Sequence, residues 1–328
     1  MGPLRIGIAH RAEESAAPGR RKSDIQEITE VLEHADHEVI AVAVDGSRES
    51  LARLAQVEAD LLFNLVEGFG ADDTKELHVA AYYELLGLRY TGSGPRALGV
   101  AMDKALTKKV LQFHEVLTPR FVTVYRGRLE WAHDIQFPVI VKPLREDGSI
   151  GITFSAVVNS IKELMERIDE LHADFDHPVL IEQYIEGQEI YVGVIGNDKP
   201  EAFPPVELTL SHLPPGTPRI AGAEVKWDET SQAHRGSKYR VPADLPEQVI
   251  RALQLVAVHS FQALELRDYA RFDFRVTPGH QVYLIEANPN PYLHSRADFI
   301  KGARASGRTQ PATILEIVDL ALRRYGRA

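Results

Sequence analysis

Cysteine is absent from this chain of 328 residues. Its absence excludes disulfide bonds, zinc sites built from thiolates and a cysteine nucleophile. Any metal ion that the chain binds must therefore be held by oxygen atoms or by imidazole nitrogens. The lack of cysteine also fits a reducing compartment, and we expect a cytoplasmic protein.

Basic residues are fewer than acidic ones, with 37 Lys+Arg against 47 Asp+Glu and a formal net charge of −10. Nucleic-acid binding depends largely on basic groups that neutralise phosphates, so this balance argues against a nucleic-acid partner. No apolar run approaches the roughly 18 residues of a membrane span. The H-E-x-x-H and G-x-S-x-G motifs are missing as well. We therefore expect small-molecule partners and no membrane partner.

The residues that are present have an ordinary globular composition, with 44% of them hydrophobic. Near the amino terminus, stretches of helical periodicity alternate with three short apolar runs, at residues 4–9, 39–44 and 61–65. Strands separated by helices predict a mainly parallel sheet and an α/β fold, with α+β character in the carboxy-terminal part. We predict three domains, at residues 1–95, 96–185 and 186–328.

A predicted hairpin of residues 269–276 and 281–288 is the most informative feature. Strand side chains alternate between faces, so one face collects a polar set: Arg271, Asp273 and Arg275 on the first strand, Glu286 and Asn288 on the second. A turn with an even number of residues would place Asp273 opposite Leu284 and diagonal to Glu286.

This polar face offers two carboxylates and one amide. Such hard oxygen ligands suit Mg²⁺, which completes its coordination with water and phosphate oxygens. The alternative is a salt-bridged surface face, on which Arg271 and Arg275 only neutralise the carboxylates. Pro289 and Pro291 favour the metal site, because they end the strand just beyond the polar pair and start a loop there.

Three lysines are further candidates. Lys142 ends an apolar strand, and a loop with Gly148, Ser149 and Gly151 follows it; glycines let backbone N–H groups approach phosphate oxygens closely. A surface hairpin turn would explain this loop equally well. Lys104 and Lys226 are single lysines, which in most proteins are solvated surface charges.

Residues 180–189 run from an apolar strand into acidic and glycine positions. They are either a plain strand, turn and strand, or a hinge whose backbone contacts adenine while a carboxylate binds ribose.

These motifs together resemble the ATP-grasp ligases, and among them the D-alanine–D-alanine ligases. The resemblance runs from Phe63 to Asn288 and rests on motifs in the family's order: Thr91-Gly92-Ser93-Gly94, Met102-Asp103-Lys104, Val139-Ile140-Val141-Lys142-Pro143, Leu180-Ile181-Glu182-Gln183-Tyr184, Arg271-Phe272-Asp273 and Ile285-Glu286-Ala287-Asn288. It implies an ATP-grasp fold behind an amino-terminal parallel-sheet domain, with ATP held between the central and carboxy-terminal domains.

The resemblance also implies ligands and residue roles. The cofactors would be ATP and two Mg²⁺ ions, with Mn²⁺ as an alternative. The implied nucleotide contacts are Lys104 and Lys142 on the phosphates, Ser149 in the loop covering them, Lys226 on the γ-phosphate, Glu182 and Ile185 at adenine, and Glu189 at ribose. The implied metal ligands are Asp273, Glu286 and Asn288, and the implied catalytic residues are Arg271, Lys226 and Ser149.

The implied reaction joins a carboxylate to an amine. The carboxylate attacks the γ-phosphate to give an acyl phosphate, and the amine then displaces phosphate through a tetrahedral oxyanion. Both steps need positive charge directed at growing negative charge in a site that excludes water. Arg271 would stabilise the charge that develops on the reacting carboxylate.

The substrate side departs from the D-alanine ligase pattern. Residues 9–14 replace the family's Gly-Gly-x-Ser-x-Glu-type loop, and Glu67 stands where the family has a histidine. Tyr292 aligns with the glycine whose N–H would bind the oxyanion. We take Glu13, Glu67 and Tyr292 as candidate substrate residues and expect amino-acid or peptide substrates, with a homodimer left open.

Three alternatives remain at this point. An ATP-grasp ligase could join substrates other than D-alanine. A nucleotide-binding regulator could have lost catalysis, although a binder has no need of all four polar hairpin residues. A scaffold without any nucleotide could use the hairpin only to pair charges.

Overall fold

The computed structural model describes residues 2–12, 21–126, 136–146, 148–175 and 178–326. Its strands are β1 (Arg5–Arg11), β2 (Glu38–Val44), β3 (Leu61–Leu65), β4 (Phe121–Val124), β5 (Val139–Pro143), β6 (Val157–Val158), β7 (Val179–Gln183), β8 (Gln188–Ile195), β9 (Glu201–Ala202), β10 (Val206–Thr209), β11 (Lys238–Arg240), β12 (Tyr269–Val276) and β13 (Val282–Pro289). Its helices are α1 (Arg21–His34), α2 (Arg48–Ala55), α3 (Glu76–Leu85), α4 (Pro95–Met102), α5 (Lys104–Phe113), α6 (Ile161–Asp174), α7 (Ala223–Lys226), α8 (Gln232–Gly236), α9 (Glu247–Ala263), α10 (Asp298–Ala305) and α11 (Gln310–Arg324).

The amino-terminal sheet is parallel, as the alternation of strands and helices predicted. Its strand order is β2-β1-β3, and both neighbours of β1 run parallel to it. Apolar side chains of the three strands are buried on both faces of the sheet, which is why the strands are nearly continuous apolar runs in the sequence. The predicted α/β class is confirmed here.

Two antiparallel sheets follow along the chain. The first has the order β4-β7-β5-β6, and the second has the order β11-β10-β8-β12-β13, with β9 paired to β8. Strand β7, which carries Glu182, is central in the first sheet. Strand β12, which carries Asp273, lies between β8 and β13 in the second.

The last two helices pack on the amino-terminal sheet. Ile300 of α10 and Ile314 of α11 belong to the same buried cluster as Ile6 of β1 and Phe63 of β3. The end of the chain therefore completes the core of its beginning, a long-range contact that local sequence patterns do not predict. The three domain boundaries themselves remain a prediction.

The sequence predicts a helix from about Met102 to His114, but in the structure this helix begins at Lys104, and a separate helix, α4, precedes it. Asp103 ends α4 and begins α5, and its side chain accepts a hydrogen bond from the Leu106 backbone N–H at 2.9 Å. This cap breaks the helix because Asp103 has extended backbone angles. The sequence also predicts an extended segment from Ile152 to Val158, of which only Val157–Val158 form a strand, paired with β5.

The register of the predicted hairpin was wrong by two residues. Asp273 lies directly opposite Glu286, and Phe274 lies opposite Leu284. Val276 pairs with Val282 instead of Gln281, which accounts for one of the two residues. A β-bulge between Asp273 and Phe274 gives β13 one residue more than β12, which accounts for the other and brings Glu286 from the diagonal into the facing position. The two carboxylates are thus closer neighbours than a regular hairpin would make them.

None of the helices within the described ranges combines the length and the apolar character that a bilayer crossing demands.

Candidate active site

The two hairpin carboxylates face each other and each is paired with a cation. Arg271 holds Asp273 with two hydrogen bonds, from Nε at 2.7 Å and from an Nη atom at 3.0 Å. The Lys104 ammonium lies 2.7 Å from a Glu286 carboxylate oxygen. The guanidinium of Arg271 also stacks over the ring of Tyr191, 5.2 Å from its centre. The hairpin face is therefore a dense set of opposite charges.

A second charged group lies deeper, around the carboxylate of Glu182 on β7. Its side chain is 1% exposed, and its two oxygens pair with the ammonium groups of Lys142 and Lys108. Burial alone would raise the pKa of Glu182, but the two lysines outweigh it and lower that pKa. Burial also lowers the pKa of Lys108, because it disfavours the charged form.

Lys108 connects the charged group around Glu182 with the hairpin, as Lys104 does through its ion pair with Glu286. Lys108 donates a hydrogen bond to the Ile285 carbonyl at 2.6 Å, next to Glu286 in the chain. Burial would raise the pKa of Glu286, yet the charges of Lys104 and Lys142 lower it to about 2. Glu286 is accordingly ionised at neutral pH, as a metal ligand must be.

The predicted phosphate loop is tied to the segment that carries Lys226. Ser149 donates a hydrogen bond from Oγ to the Ala221 carbonyl at 2.8 Å, and Trp227 donates one from Nε1 to the Gly148 carbonyl at 2.8 Å. Ser149 has a φ of 65°, a left-handed conformation that side chains other than glycine seldom adopt. The two segments are thus joined into one layer, and the charge of Lys226 in this layer acts on Glu286 of the hairpin.

On the predicted adenine and ribose side, Ile185 is buried with 6% of its surface exposed. Both oxygens of the Glu182 carboxylate are paired with lysines, so this carboxylate positions Lys142 and Lys108 and does not itself face an adenine base. Glu189 lies 2.9 Å from an Nη atom of Arg275, and Arg275 also donates to the Gly187 carbonyl at 2.9 Å. The expected ribose carboxylate is therefore positioned by a neighbouring arginine.

The predicted substrate residues that the structure describes line a pocket that opens to solvent. Glu67 and Tyr292 both line this pocket, together with His10, Arg11 and Asp24. Glu13, the third candidate, lies outside the described residues. The structure thus brings two of the three candidates together.

Two residues of these sites were not singled out from the sequence. Lys108 follows Lys104 by one helical turn, so the spacing of α5 could have placed both ammonium groups on one face. Asp24 lies in the first turn of α1, where an acidic residue is common for structural reasons alone. Its role depends on contacts with the chain after β13, which the sequence pattern does not reveal.

The donor set at the hairpin fits Mg²⁺. Asp273 and Glu286 supply carboxylates from facing positions, and Asn288 adds an amide opposite Arg271. Within the described ranges, the Nδ2 atom of Asn288 is buried without a hydrogen-bond partner, and a phosphate oxygen beside it would provide one. The described residues contain no group of three or more His, Asp or Glu side chains arranged for a metal. Phosphate oxygens would therefore have to complete the coordination.

Comparison with known proteins gives the family. The family described as D-ala D-ala ligase C-terminus matches residues 110–319. The chain belongs to this family. A D-alanine--D-alanine ligase from Bordetella petrii is 34% identical over 84% of this chain and 80% of its own length. An uncharacterized protein, y4sG, from Sinorhizobium fredii is 32% identical over 81% of this chain and 75% of its own length.

A solved structure supports the same fold. The D-alanine--D-alanine ligase from Bacillus anthracis, determined in complex with ATP, superimposes with a TM-score of 0.78 at 21% identity, covering 98% of this chain and 99% of that one. The predicted ATP-grasp fold and the resemblance to D-alanine–D-alanine ligases are confirmed. This chain is an ATP-dependent C–N ligase of that family.

Proposed function

We propose that the chain activates a carboxylate with ATP as an acyl phosphate and joins it to an amine. The observation that carries this proposal is the charged layer on the hairpin. Asp273 and Glu286 face each other on neighbouring strands, and Arg271 and Lys104 pair with them. A charge layer of this kind can hold phosphates and metal ions in one place. The loop at Ser149 is bonded to the segment that precedes Lys226, and in this proposal it covers the phosphates and excludes water.

The nucleotide roles are assigned from the resemblance and the contacts above. Lys104 and Lys142 bind phosphates, and Lys226 reaches the γ-phosphate. Each of the first two ammonium groups is already held by a buried carboxylate, so its position is fixed before ATP arrives. The remaining nucleotide contacts in this proposal are Ser149 over the phosphates, Ile185 and the strand of Glu182 at adenine, and Glu189 at ribose.

The proposed metal ligands are Asp273, Glu286 and Asn288, which would bind two Mg²⁺ ions, or Mn²⁺ in their place. Bound there, the ions would neutralise the charge of the β- and γ-phosphates. Because Arg271 pairs with Asp273 and Lys104 pairs with Glu286 in the structure, these two carboxylates keep their orientation without the ions.

Protein residues would then guide both chemical steps. Arg271 stabilises the charge on the attacking carboxylate and later on the tetrahedral oxyanion. The backbone N–H of Tyr292 donates to that oxyanion. The contacts of the loop with Ala221 and of Trp227 with the loop keep water from the acyl phosphate, which would otherwise hydrolyse.

The substrates in this proposal are amino acids or peptides. The Bordetella petrii relative is named for D-alanine, and D-alanine is the first candidate for that reason. Glu67 and Tyr292 line the pocket where the two substrates would meet, which allows a preference of this chain's own. Since the reaction consumes ATP, we place it in the cytoplasm, and a homodimer would be identified by light scattering of the purified protein.

The proposal is tested by measuring phosphate release from ATP and Mg²⁺ with a panel of single amino acids and pairs, followed by mass spectrometry of the products. We expect stimulation by at least one amino acid and a product one water lighter than its two parts. Asp273→Asn should reduce the rate by a factor of about 100 or more, because a ligand of the phosphate-bound ions is lost.

The matched control is Asp198→Asn, an exposed carboxylate away from the hairpin, which should keep the wild-type rate. Wild-type protein that is stabilised by ATP and Mg²⁺ but never releases phosphate would favour the inactive regulator instead. Equal rates of wild type and Asp273→Asn would refute the assigned metal site.

A further inference from the structure

The pocket that Glu67 and Tyr292 line lies between β1, the first turn of α1 and the loop after β13. Its polar wall consists of side chains from separate parts of the chain, namely His10, Arg11, Asp24, Glu67, Asn290 and Tyr292. None of these residues belongs to the lysine and hairpin groups that would bind ATP and metal. The pocket therefore has its own chemistry, which decides what it accepts.

Asp24 is the unusual member of this wall. It is 4% exposed, and its Oδ2 atom accepts a hydrogen bond from the Leu293 backbone N–H at 3.2 Å. Its Oδ1 atom is buried and accepts no well-formed hydrogen bond from the described residues, and the His294 backbone N–H adds only a weaker interaction with the carboxylate than Leu293 does. A buried carboxylate oxygen without a donor costs free energy, so a donor supplied by a ligand would be bound favourably.

The charges around Asp24 favour a positively charged ligand. Arg11, the guanidinium on the pocket wall, is paired with Asp73. Glu67 adds a second carboxylate to the wall, and Glu27 lies one helical turn after Asp24. Burial, with smaller contributions from the negative charges of Glu67 and Glu27, raises the pKa of Asp24 to about 7 against the opposing effect of the backbone hydrogen bonds from Leu293 and His294. A cation beside Asp24 would relieve this repulsion.

We propose that this pocket binds a positively charged side chain of the substrate, with Asp24 as the carboxylate that receives its ammonium group. The inference rests on the proposed ligase function and narrows its substrate class to amino acids or peptides with a cationic side chain. The pocket contains the carboxylates of Asp24 and Glu67, and this negative charge complements a substrate that has an ammonium group on its side chain in addition to its α-ammonium group. A small neutral side chain would leave the buried Oδ1 atom without a donor.

Ornithine and norvaline are suitable probes, because their three-carbon side chains differ by the terminal ammonium of ornithine. Both enantiomers of each are assayed for ATP-dependent phosphate release and, separately, for thermal stabilisation in the presence of Mg²⁺ and a non-hydrolysable ATP analogue. We expect wild-type protein to prefer ornithine at least tenfold in kcat/KM or in dissociation constant.

Asp24→Asn should abolish this preference. Its amide oxygen can still accept the hydrogen bond from Leu293, so the fold around the loop is kept. The matched control is Asp244→Asn, which removes an exposed carboxylate whose side chain is 78% accessible, and it should retain the preference. Stabilisation of Asp24→Asn by the ATP analogue verifies that the variant is folded and has its nucleotide site.

The preference should also rise as the pH is increased from about 6 to about 8, because Asp24 loses its proton in this range while the ornithine ammonium keeps its own. The titratable and charged groups that surround Asp24 are His10 and Arg11 on β1, Glu27 on α1, Glu67 after β3, Tyr269 on β12 and His294 after β13. In Asp24→Asn the preference should not change with pH in this way.

Equal responses to ornithine and norvaline, or no response to either, would overturn the inference, as would a preference that survives in Asp24→Asn. The proposed function fails differently: no amino acid of any kind would then stimulate phosphate release. Stabilisation by ornithine but not by norvaline would support the pocket even in that case, since this measurement does not require turnover.

Discussion

The ammonium group of Lys108 lies inside the protein, where 1% of its side chain is exposed. It is 2.8 Å from one oxygen of Glu182 and donates to the Ile285 carbonyl at 2.6 Å. The other oxygen of Glu182 pairs with Lys142. Lys108 therefore positions the carboxylate that holds a proposed phosphate ligand, and it links that carboxylate to β13, the strand that carries two of the proposed metal ligands.

Replacing Lys108 with methionine should destabilise the fold by about 3 kcal/mol, because a fully buried carboxylate would lose one of its two partners. The melting temperature, measured by differential scanning calorimetry, should fall by several degrees. Michaelis constants for ATP should rise in the same variant, since Lys142 would lose part of the support that fixes its ammonium group.

The control is Lys109→Met, the exposed neighbour on the same helix, which should leave both values near those of the wild type. If the two variants melted at the same temperature, the buried pair would contribute nothing measurable. A lower melting temperature with an unchanged Michaelis constant would leave Lys108 a purely structural residue.

At the scale of elements, the sequence predicted strands better than the contacts between them. The hairpin strands were found because apolar and polar residues alternate and because Pro289 ends the second strand. The bulge that helps to bring Glu286 opposite Asp273 was missed. An extra residue reverses the alternation, and Leu284 and Ala287 are buried in the same cluster although they lie three positions apart, but a single such break in a short strand does not by itself identify a bulge. The polar face was thus predictable, and its closest pair was not.

Asp24 illustrates the same limit. An aspartate in the first turn of a helix is ordinary in a sequence, and only the loop after β13 makes it the wall of a pocket. Glu67 and Tyr292 could be selected because they depart from the pattern of a known family. Residues that depart from no pattern are found only when the structure shows what surrounds them.

Two side-chain hydrogen bonds join the loop at residues 148–151 to Ala221 and Trp227, which flank the helix α7. Replacing Ser149 with alanine removes the hydrogen bond to the Ala221 carbonyl, which contributes about 1 kcal/mol. We expect the layer to open more often and water to reach the acyl phosphate. Phosphate released per molecule of ligated product, measured by enzyme-coupled assay and mass spectrometry, should rise a few-fold.

Ser211→Ala, at an exposed position outside this layer, should keep the wild-type ratio. Trp227→Phe removes the hydrogen bond to the Gly148 carbonyl and should act in the same direction as Ser149→Ala. An unchanged ratio in both variants would mean that these two bonds do not control the access of water.

At the scale of the molecule, Asp268 joins distant parts of the chain. It is fully buried and accepts hydrogen bonds from the Gly92 backbone N–H at 2.7 Å and from Nδ2 of Asn197 at 2.9 Å. Arg324, near the end of α11, pairs with it at 2.9 Å and also donates to the Tyr90 carbonyl at 2.8 Å. Through Arg324, the last helix is thus bonded both to Asp268, just before β12, and to Tyr90, in the segment that precedes α4.

Replacing Arg324 with glutamine should destabilise the whole molecule, because Asp268 would keep its burial and lose its charged partner. We expect a loss of about 3 kcal/mol and a melting temperature lower by several degrees in calorimetry. Arg323→Gln removes the neighbouring, largely exposed arginine, whose pair with Asp319 is on the surface, and should change the melting temperature little. Because α11 packs on the amino-terminal sheet, amide hydrogen exchange in Arg324→Gln should quicken in β1 and β3 as well as in α11. Faster exchange confined to α11 would show that the carboxy-terminal helix does not stabilise the sheet that it covers.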